Sequence, residues 1–142
     1  MTAPSWLTAR PIAHRGLWSP DGAPENSLGA FQAACAAGYG VELDVQLSAD
    51  GEAVVFHDAD LERMTGVSGK LKARTAAELG ELRLKGTDET IPTLFDTLAL
   101  IGDRAMVHVE LKTPHGEVGP LEQRVHEVIA DHAGPLCVIG FN

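Results

Sequence analysis

Gly40-Val41-Glu42-Leu43-Asp44-Val45-Gln46-Leu47 is the stretch whose reading decides the fold. Val41, Leu43, Val45 and Leu47 alternate with Glu42, Asp44 and Gln46, the period of two that marks a strand with two chemically different faces. An ordinary half-buried strand carries Ser, Thr or Lys on its wetter face. Here two carboxylates stand at i and i+2, roughly 6–7 Å apart along one face. Each raises the pKa of the other unless a cation lies between them. A hard divalent ion such as Mg²⁺ or Ca²⁺ takes oxygen ligands of this kind. An isolated E-x-D in a strand is more often a solvated polar face, so the metal reading draws its weight from the rest of the chain.

A second strand has the same build. In Met106-Val107-His108-Val109-Glu110-Leu111-Lys112, the apolar residues 107, 109 and 111 alternate with His108, Glu110 and Lys112. Two more apolar runs end in imidazoles: Pro11-Ile12-Ala13-His14-Arg15-Gly16 and Ala53-Val54-Val55-Phe56-His57-Asp58. A lone histidine at a strand end is usually structural. Two histidines, three carboxylates, an arginine and a lysine on strand faces and ends form a constellation that packing does not require. In an α/β protein the face turned from the apolar layer is a barrel interior or a strand-end cleft, where ligands bind.

The 142 residues suffice for one domain with a core. A net charge of −9 argues against a nucleic-acid groove and against an anionic membrane surface as partner. It leaves room for a phosphate substrate, because a metal and a local Arg/Lys pair reverse the field inside a pocket. No signal peptide is visible in the first ten residues, and no apolar run approaches the roughly 20 residues of a membrane span. Cys35 and Cys137 have no metal or redox spacing and read as small core residues in a reducing compartment. The expected location is the cytoplasm.

The order of elements follows from punctuation. A Gly/Pro-rich loop, residues 16–24, leads to Asn26 or Ser27 as N-cap of a helix over Leu28–Ala37, closed by Gly38. The carboxylate strand follows at once, so the first two strands are parallel. Only Ser48-Ala49-Asp50-Gly51-Glu52 separates it from Ala53–His57, too short for a helical crossover. Asp-Gly is a tight-turn signal; the two strands read as a hairpin that returns His57 to the side of Asp44. Thr75 caps a helix over Ala76–Leu82, and Thr93 one over Leu94–Ile101. A further helix is expected over Leu121–His132, then an apolar strand over Leu136–Phe141. About five strands of a repeated βα pattern are present, whereas a full (β/α)₈ barrel needs about 250 residues. The expectation is a barrel truncated after about five strands, or one completed by another chain.

Taken in order, these motifs resemble the glycerophosphodiester phosphodiesterase family. The matching pieces are His14-Arg15-Gly16, Pro24-Glu25-Asn26-Ser27 where the family usually reads P-E-N-T, Glu42-Leu43-Asp44-Val45, and Asp50-Gly51. Val54 to Asp58, then Leu61, Arg63, Thr65 and Gly66, Ile91-Pro92-Thr93-Leu94 and Val109-Glu110-Leu111-Lys112 continue the pattern. The resemblance covers nearly the whole chain from Pro11. It implies a single domain over residues 1–142, the N-terminal portion of a TIM-type (β/α) barrel. It implies one divalent ion, Mg²⁺ or Ca²⁺, on Glu42, Asp44 and Glu110. His14 and His57 match the family's acid–base pair, and Arg15 and Lys112 match groups near the substrate phosphate. The family commonly has Ser-Phe where this chain has Gly140-Phe141.

The reaction so implied is hydrolysis of a glycerophosphodiester to sn-glycerol 3-phosphate and an alcohol. Rival readings are a phospholipase C- or D-like lipid phosphodiesterase of the same superfamily, or an inactive metal- or phosphate-binding fragment. A small-molecule diester is the expected partner, with a homo-oligomer or the missing C-terminal half completing the barrel. Among the remaining residues, His108 reads as barrel-layer packing, and His115, His126 and His132 as solvated. Asp58 either steers His57 or accepts a turn bond. Glu25 and Asn26 either orient the first His-Arg pair or cap the helix. Trp18 is an exposed aromatic in the loop over the site.

Overall fold

The computed structural model describes residues 2–141; Met1 and Asn142 lie outside the described residues. The carboxylate stretch forms one strand, β2 (Gly40–Leu47), between β1 (Ile12–His14) and β4 (Val107–Leu111). Both of those pair with it in parallel, Ala13 opposite Val41 and Val109 opposite Leu43. The last apolar run forms β5 (Leu136–Gly140), parallel to β4.

Val41, Leu43, Val45, Val107 and Val109 enter one apolar core with Phe31, Leu94, Leu98, Ile101, Leu121 and Val125. Those six partners come from α1 (Leu28–Ala36), α4 (Leu94–Ile101) and α5 (Pro120–Ile129). The helices therefore cover the face that the alternation marked as apolar, leaving Glu42, Asp44 and Glu110 on the other.

The parallel strands lie in the order β1-β2-β4-β5, each beside its predecessor. A doubly wound sheet reverses direction at a switch point; this order never does. Stepwise advance with helices between strands is how a (β/α) barrel grows, and the sheet is an open arc of one.

The hairpin is present. β3 (Ala53–Val55) runs antiparallel to the end of β2, with Val55 opposite Val45. Gly51 closes the turn at φ +78°, a conformation open to glycine. Four of the five strands are thus parallel, and the fifth is a short antiparallel strand on β2.

Helix starts follow side-chain chemistry. Ser27 Oγ accepts from the Ala30 N–H at 3.1 Å and caps α1, and Thr93 Oγ1 accepts from Asp96 N–H at 3.1 Å to cap α4. Thr75 and Glu78 form a capping box on α3 (Ala76–Leu79). That helix is shorter than its pattern. Leu79 and Leu84 both enter a second apolar cluster with Val54, Phe56, Leu61, Met64, Leu71 and Ile91. After Leu79 the chain passes into tighter turns, Glu81 N–H to the Glu78 carbonyl at 3.3 Å and Leu82 N–H to the Leu79 carbonyl at 3.1 Å, so the expected helix over Ala76–Leu82 is cut short. α5 starts on Pro120 and ends at Ile129, where His132 N–H turns back to the Ile129 carbonyl at 3.0 Å. His132 is half-buried with an unpaired Nε2, so the expectation that it is solvated does not hold. Residues 59–92, with the short helix α2 (Glu62–Thr65), thus build a second small core together with Val54 and Phe56 of the hairpin.

Candidate active site

Register builds the acidic centre. Asp44 on β2 lies directly opposite Glu110 on β4, and Glu42 lies opposite His108. Pleat alternation then sets Glu42, Asp44 and Glu110 on one face. One oxygen from each of the three lies within 4.8 Å of the others. Asp44 is fully buried and Glu42 is 9% exposed. Glu42 Oε1 and Asp44 Oδ1 are buried without a hydrogen-bond partner. Burial, with Asp44 and Glu110 adding repulsion, pushes the Glu42 carboxyl up to about 7. A buried carboxylate oxygen without a hydrogen bond costs free energy, and three convergent hard oxygens are the ligands that Mg²⁺ and Ca²⁺ take. The donor set fits such an ion.

Cations close around this centre. Lys112, just beyond β4, bonds Glu110 Oε1 and sits 3.3 Å from Asp44 Oδ1. Burial works against its ammonium, but Glu110 and Asp44 outweigh that and hold its pKa above the ordinary value. Arg15 follows β1 at φ +60°, an uncommon conformation for a side chain of this size. Its backbone N–H donates to Glu42 Oε2 at 3.0 Å, its Nε is 3.4 Å from Asp44 Oδ2, and its Nη1 donates to Glu25 Oε1 at 3.2 Å. Gly16, at φ +82°, lets this turn press against α1: an added Cβ would lie 2.8 Å from Ala30 Cβ.

The histidines occupy the rim. His14 at the end of β1 is 68% exposed, with Nε2 3.8 Å from Glu42 Oε2. The backbone N–H of Phe56 donates to the Asp44 carbonyl at 3.0 Å, which brings the following residue, His57, alongside β2 as the hairpin requires. His57 Nδ1 lies 2.8 Å from Asp58 Oδ1. His108 contacts Met106 Sδ at 3.0 Å, and burial holds its pKa below the ordinary value, in keeping with a packing role.

The residues beside α1 are part of this site. Asn26, at φ +54°, donates from Nδ2 to Asp44 Oδ2 at 2.9 Å and faces the Asp44 N–H at 3.4 Å. The cap falls to Ser27, and Asn26 holds an acid of the centre. Glu25 is buried and joins Arg15 to Arg63. Burial alone would raise its pKa; the hydrogen bond and charge of Arg63, with Arg15, hold it below the carboxylate range. Two cavities flank the site: one of about 570 Å³ lined by Gln46, Lys70, Lys72 and Lys112, and one of about 490 Å³ lined by Trp18, Glu25, Arg63 and Lys85.

The family model described as the glycerophosphoryl diester phosphodiesterase family matches residues 14–132. The chain belongs to this family. A glycerophosphodiester phosphodiesterase of Caldanaerobacter subterraneus subsp. tengcongensis is 36% identical to it over 129 residues, 85% of this chain and 52% of the relative. A glycerophosphodiester phosphodiesterase of Bacillus altitudinis is 38% identical over 127 residues, 83% of this chain and 51% of the relative. A solved phosphodiesterase of Oleispira antarctica, in complex with the product sn-glycerol-3-phosphate, matches with a TM-score of 0.86 and 34% identity over 96% of this chain and 60% of that one. The glycerophosphodiester phosphodiesterase of Thermotoga maritima matches with a TM-score of 0.78 and 36% identity over 92% of this chain and 53% of that one. This member of the glycerophosphoryl diester phosphodiesterase family therefore spans about half the length of the curated relatives it matches.

Every residue expected in the site from sequence lies within the matched span; the contacts above join His14, Arg15, Glu42, Asp44, Glu110 and Lys112, while His57 is held at the rim by Asp58. Of the two roles open to Glu25 and Asn26, orienting the His-Arg pair or capping the helix, Glu25 holds Arg15, while the Asn26 side chain does neither and holds Asp44 instead. Arg63 had no role beyond its place in an ordered pattern.

Proposed function

We propose that this chain carries the acid–base and metal-binding part of a phosphodiesterase that hydrolyses glycerophosphodiesters to sn-glycerol 3-phosphate and an alcohol. The observation that carries the reading is the convergence of Glu42, Asp44 and Glu110 beneath Arg15 and Lys112, with the buried Glu42 Oε1 unpaired inside it. The product held by the Oleispira antarctica relative supports the same substrate class.

Glu42, Asp44 and Glu110 would hold one divalent ion, Mg²⁺ or Ca²⁺, whose charge offsets that of the phosphate's non-bridging oxygens. Arg15 offers a planar donor fork to the phosphate and Lys112 a point charge. His14 and His57 supply the two proton transfers, one from the attacking hydroxyl and one to the leaving alkoxide, because imidazole titrates near neutral pH. In our reading the glycerol 2-hydroxyl attacks first, the bond to the leaving alcohol breaks, and water then opens the cyclic phosphate. His14→Ala and His57→Ala should each lower turnover about 10²–10⁴-fold; near-wild-type rates in either variant would refute the assignment. The unpaired cysteines support a reducing compartment, and we place the chain in the cytoplasm. Among the described residues no helix is long and apolar enough to cross a membrane, and a soluble headgroup diester is the substrate we favour.

The test is release of sn-glycerol 3-phosphate from glycerophosphocholine, with Mg²⁺ or Ca²⁺ and with chelator. Metal-dependent release supports the reading. A second reading, an inactive metal- or phosphate-binding fragment, is favoured by the half-length match and by β1 and β5, which each have one strand neighbour. Silence from a folded chain that still binds the ion would select it. Sedimentation would then report whether a second copy completes the sheet.

A further inference from the structure

Arg63 stands in the middle of a run of ion pairs that links His57 to Arg15, yet it lies on α2, away from the strands that carry the site. Its Nε donates to Asp58 Oδ2 at 2.7 Å and its Nη2 to Asp58 Oδ1 at 3.0 Å. The same guanidinium donates from Nη2 to Glu25 Oε1 at 2.6 Å and from Nη1 to Glu25 Oε2 at 3.2 Å. One planar fork thus grips two carboxylates, each by both oxygens, which a lysine cannot do.

Each carboxylate then holds a candidate functional group. Glu25 Oε1 also receives Arg15 Nη1 at 3.2 Å. Asp58 Oδ1 lies 2.8 Å from His57 Nδ1. The hydrogen bond from Arg63 is the main force that lowers the Asp58 carboxyl to about 2, so near neutral pH Asp58 is an acceptor only. The proton between them therefore sits on His57 Nδ1, and in the neutral ring Nε2 is the nitrogen that keeps its lone pair.

We infer that Arg63 is a positioning residue that sets both ends of the site: through Asp58 it holds His57 in the Nδ1–H form, and through Glu25 it fixes the Arg15 guanidinium for the phosphate. How the two groups are held rests on geometry alone; what they then do rests on the proposed phosphodiesterase reading. The arrangement also gives the segment 59–92 a part in the chemistry, since it delivers this guanidinium.

Four variants separate the two arms. Asp58→Asn should move His57 toward the Nε2–H form in long-range ¹H–¹⁵N spectra while leaving affinity for sn-glycerol 3-phosphate within about twofold. Glu25→Gln should weaken that affinity about 10-fold or more and leave the His57 spectrum unchanged, the scale at which supporting residues commonly act. Arg63→Met should do both, and Arg63→Lys should recover each only in part. An Arg63→Met protein with native spectra elsewhere, an unshifted His57 ring and unchanged affinity would overturn the inference, as would a lowered melting temperature as its sole effect. If Arg63→Met does not fold, the Asp58→Asn and Glu25→Gln pair decides: the crossed pattern supports the inference, and loss of both readouts in each variant overturns it. Failure of the wild-type chain to bind or form sn-glycerol 3-phosphate would count against the proposed function, while the His57 tautomer still tests the Arg63–Asp58 arm.

Discussion

At the scale of single residues, the site concentrates charge where solvent cannot screen it. Glu42, raised to about 7 chiefly by burial with Asp44 and Glu110 adding repulsion, ionises only as the pH passes neutral. In the metal-free chain it therefore carries a proton below that pH, and a divalent cation must displace it to bind. Calorimetric titration with Ca²⁺ in buffers of different ionisation enthalpy should show nearly one proton released per ion at pH 6 and almost none at pH 8. The affinity should fall about 10-fold over the same interval as pH drops. The sign follows from the raised folded-state value: for the free protein, Glu42 contributes stability below about pH 4.5 and loses it as pH rises through 7. Glu42→Gln should abolish both the proton release and most of the ion affinity.

At the scale of elements, strand ends and helix starts are fastened together by backbone geometry. β1 ends where Arg15 and Gly16 take positive φ, and that turn rests on the first turn of α1. Gly16→Ala places a Cβ 2.8 Å from Ala30 Cβ and 2.9 Å from its carbonyl carbon, at φ +82°. We expect a loss of about 2 kcal/mol or more, read as a lower midpoint in thermal or urea unfolding. Because Arg15 precedes it, ion affinity should fall as well. Thr93→Ala removes the α4 cap, a hydroxyl bonded to Asp96 N–H and to none of the three acids, and should cost about 1 kcal/mol with ion affinity unchanged.

At the scale of the whole molecule, the segment 59–92 joins the sheet twice, through Val54 and Phe56 in the second apolar cluster and through Arg63 in the charged network. Metal binding should therefore stabilise the chain as a unit. At a cation concentration about 100 times Kd the gain is about 2.7 kcal/mol, which should raise the melting midpoint by several degrees and vanish with chelator. Two separate transitions, with only one responding to the ion, would contradict such coupling. The apolar side chains left on the edge strands, Ile12 on β1 and Val138 on β5, are 38% and 42% exposed.

Local pattern alone determined much of this protein. The alternation in β2 and β4 marked the buried face and the acids, the Asp50-Gly51 turn marked the hairpin, and Ser27, Thr75 and Thr93 marked helix starts, because strand period and cap chemistry act within a few residues. What only the tertiary structure decided is who meets whom: Asp44 opposite Glu110, Asn26 on Asp44, and Arg63 between Asp58 and Glu25. It also ended α3 at Leu79, where the chain passes into tighter turns. Glu25 and Arg63 are 38 positions apart, and no periodicity spans such a gap; only the folding of the intervening chain brings them within hydrogen-bond reach.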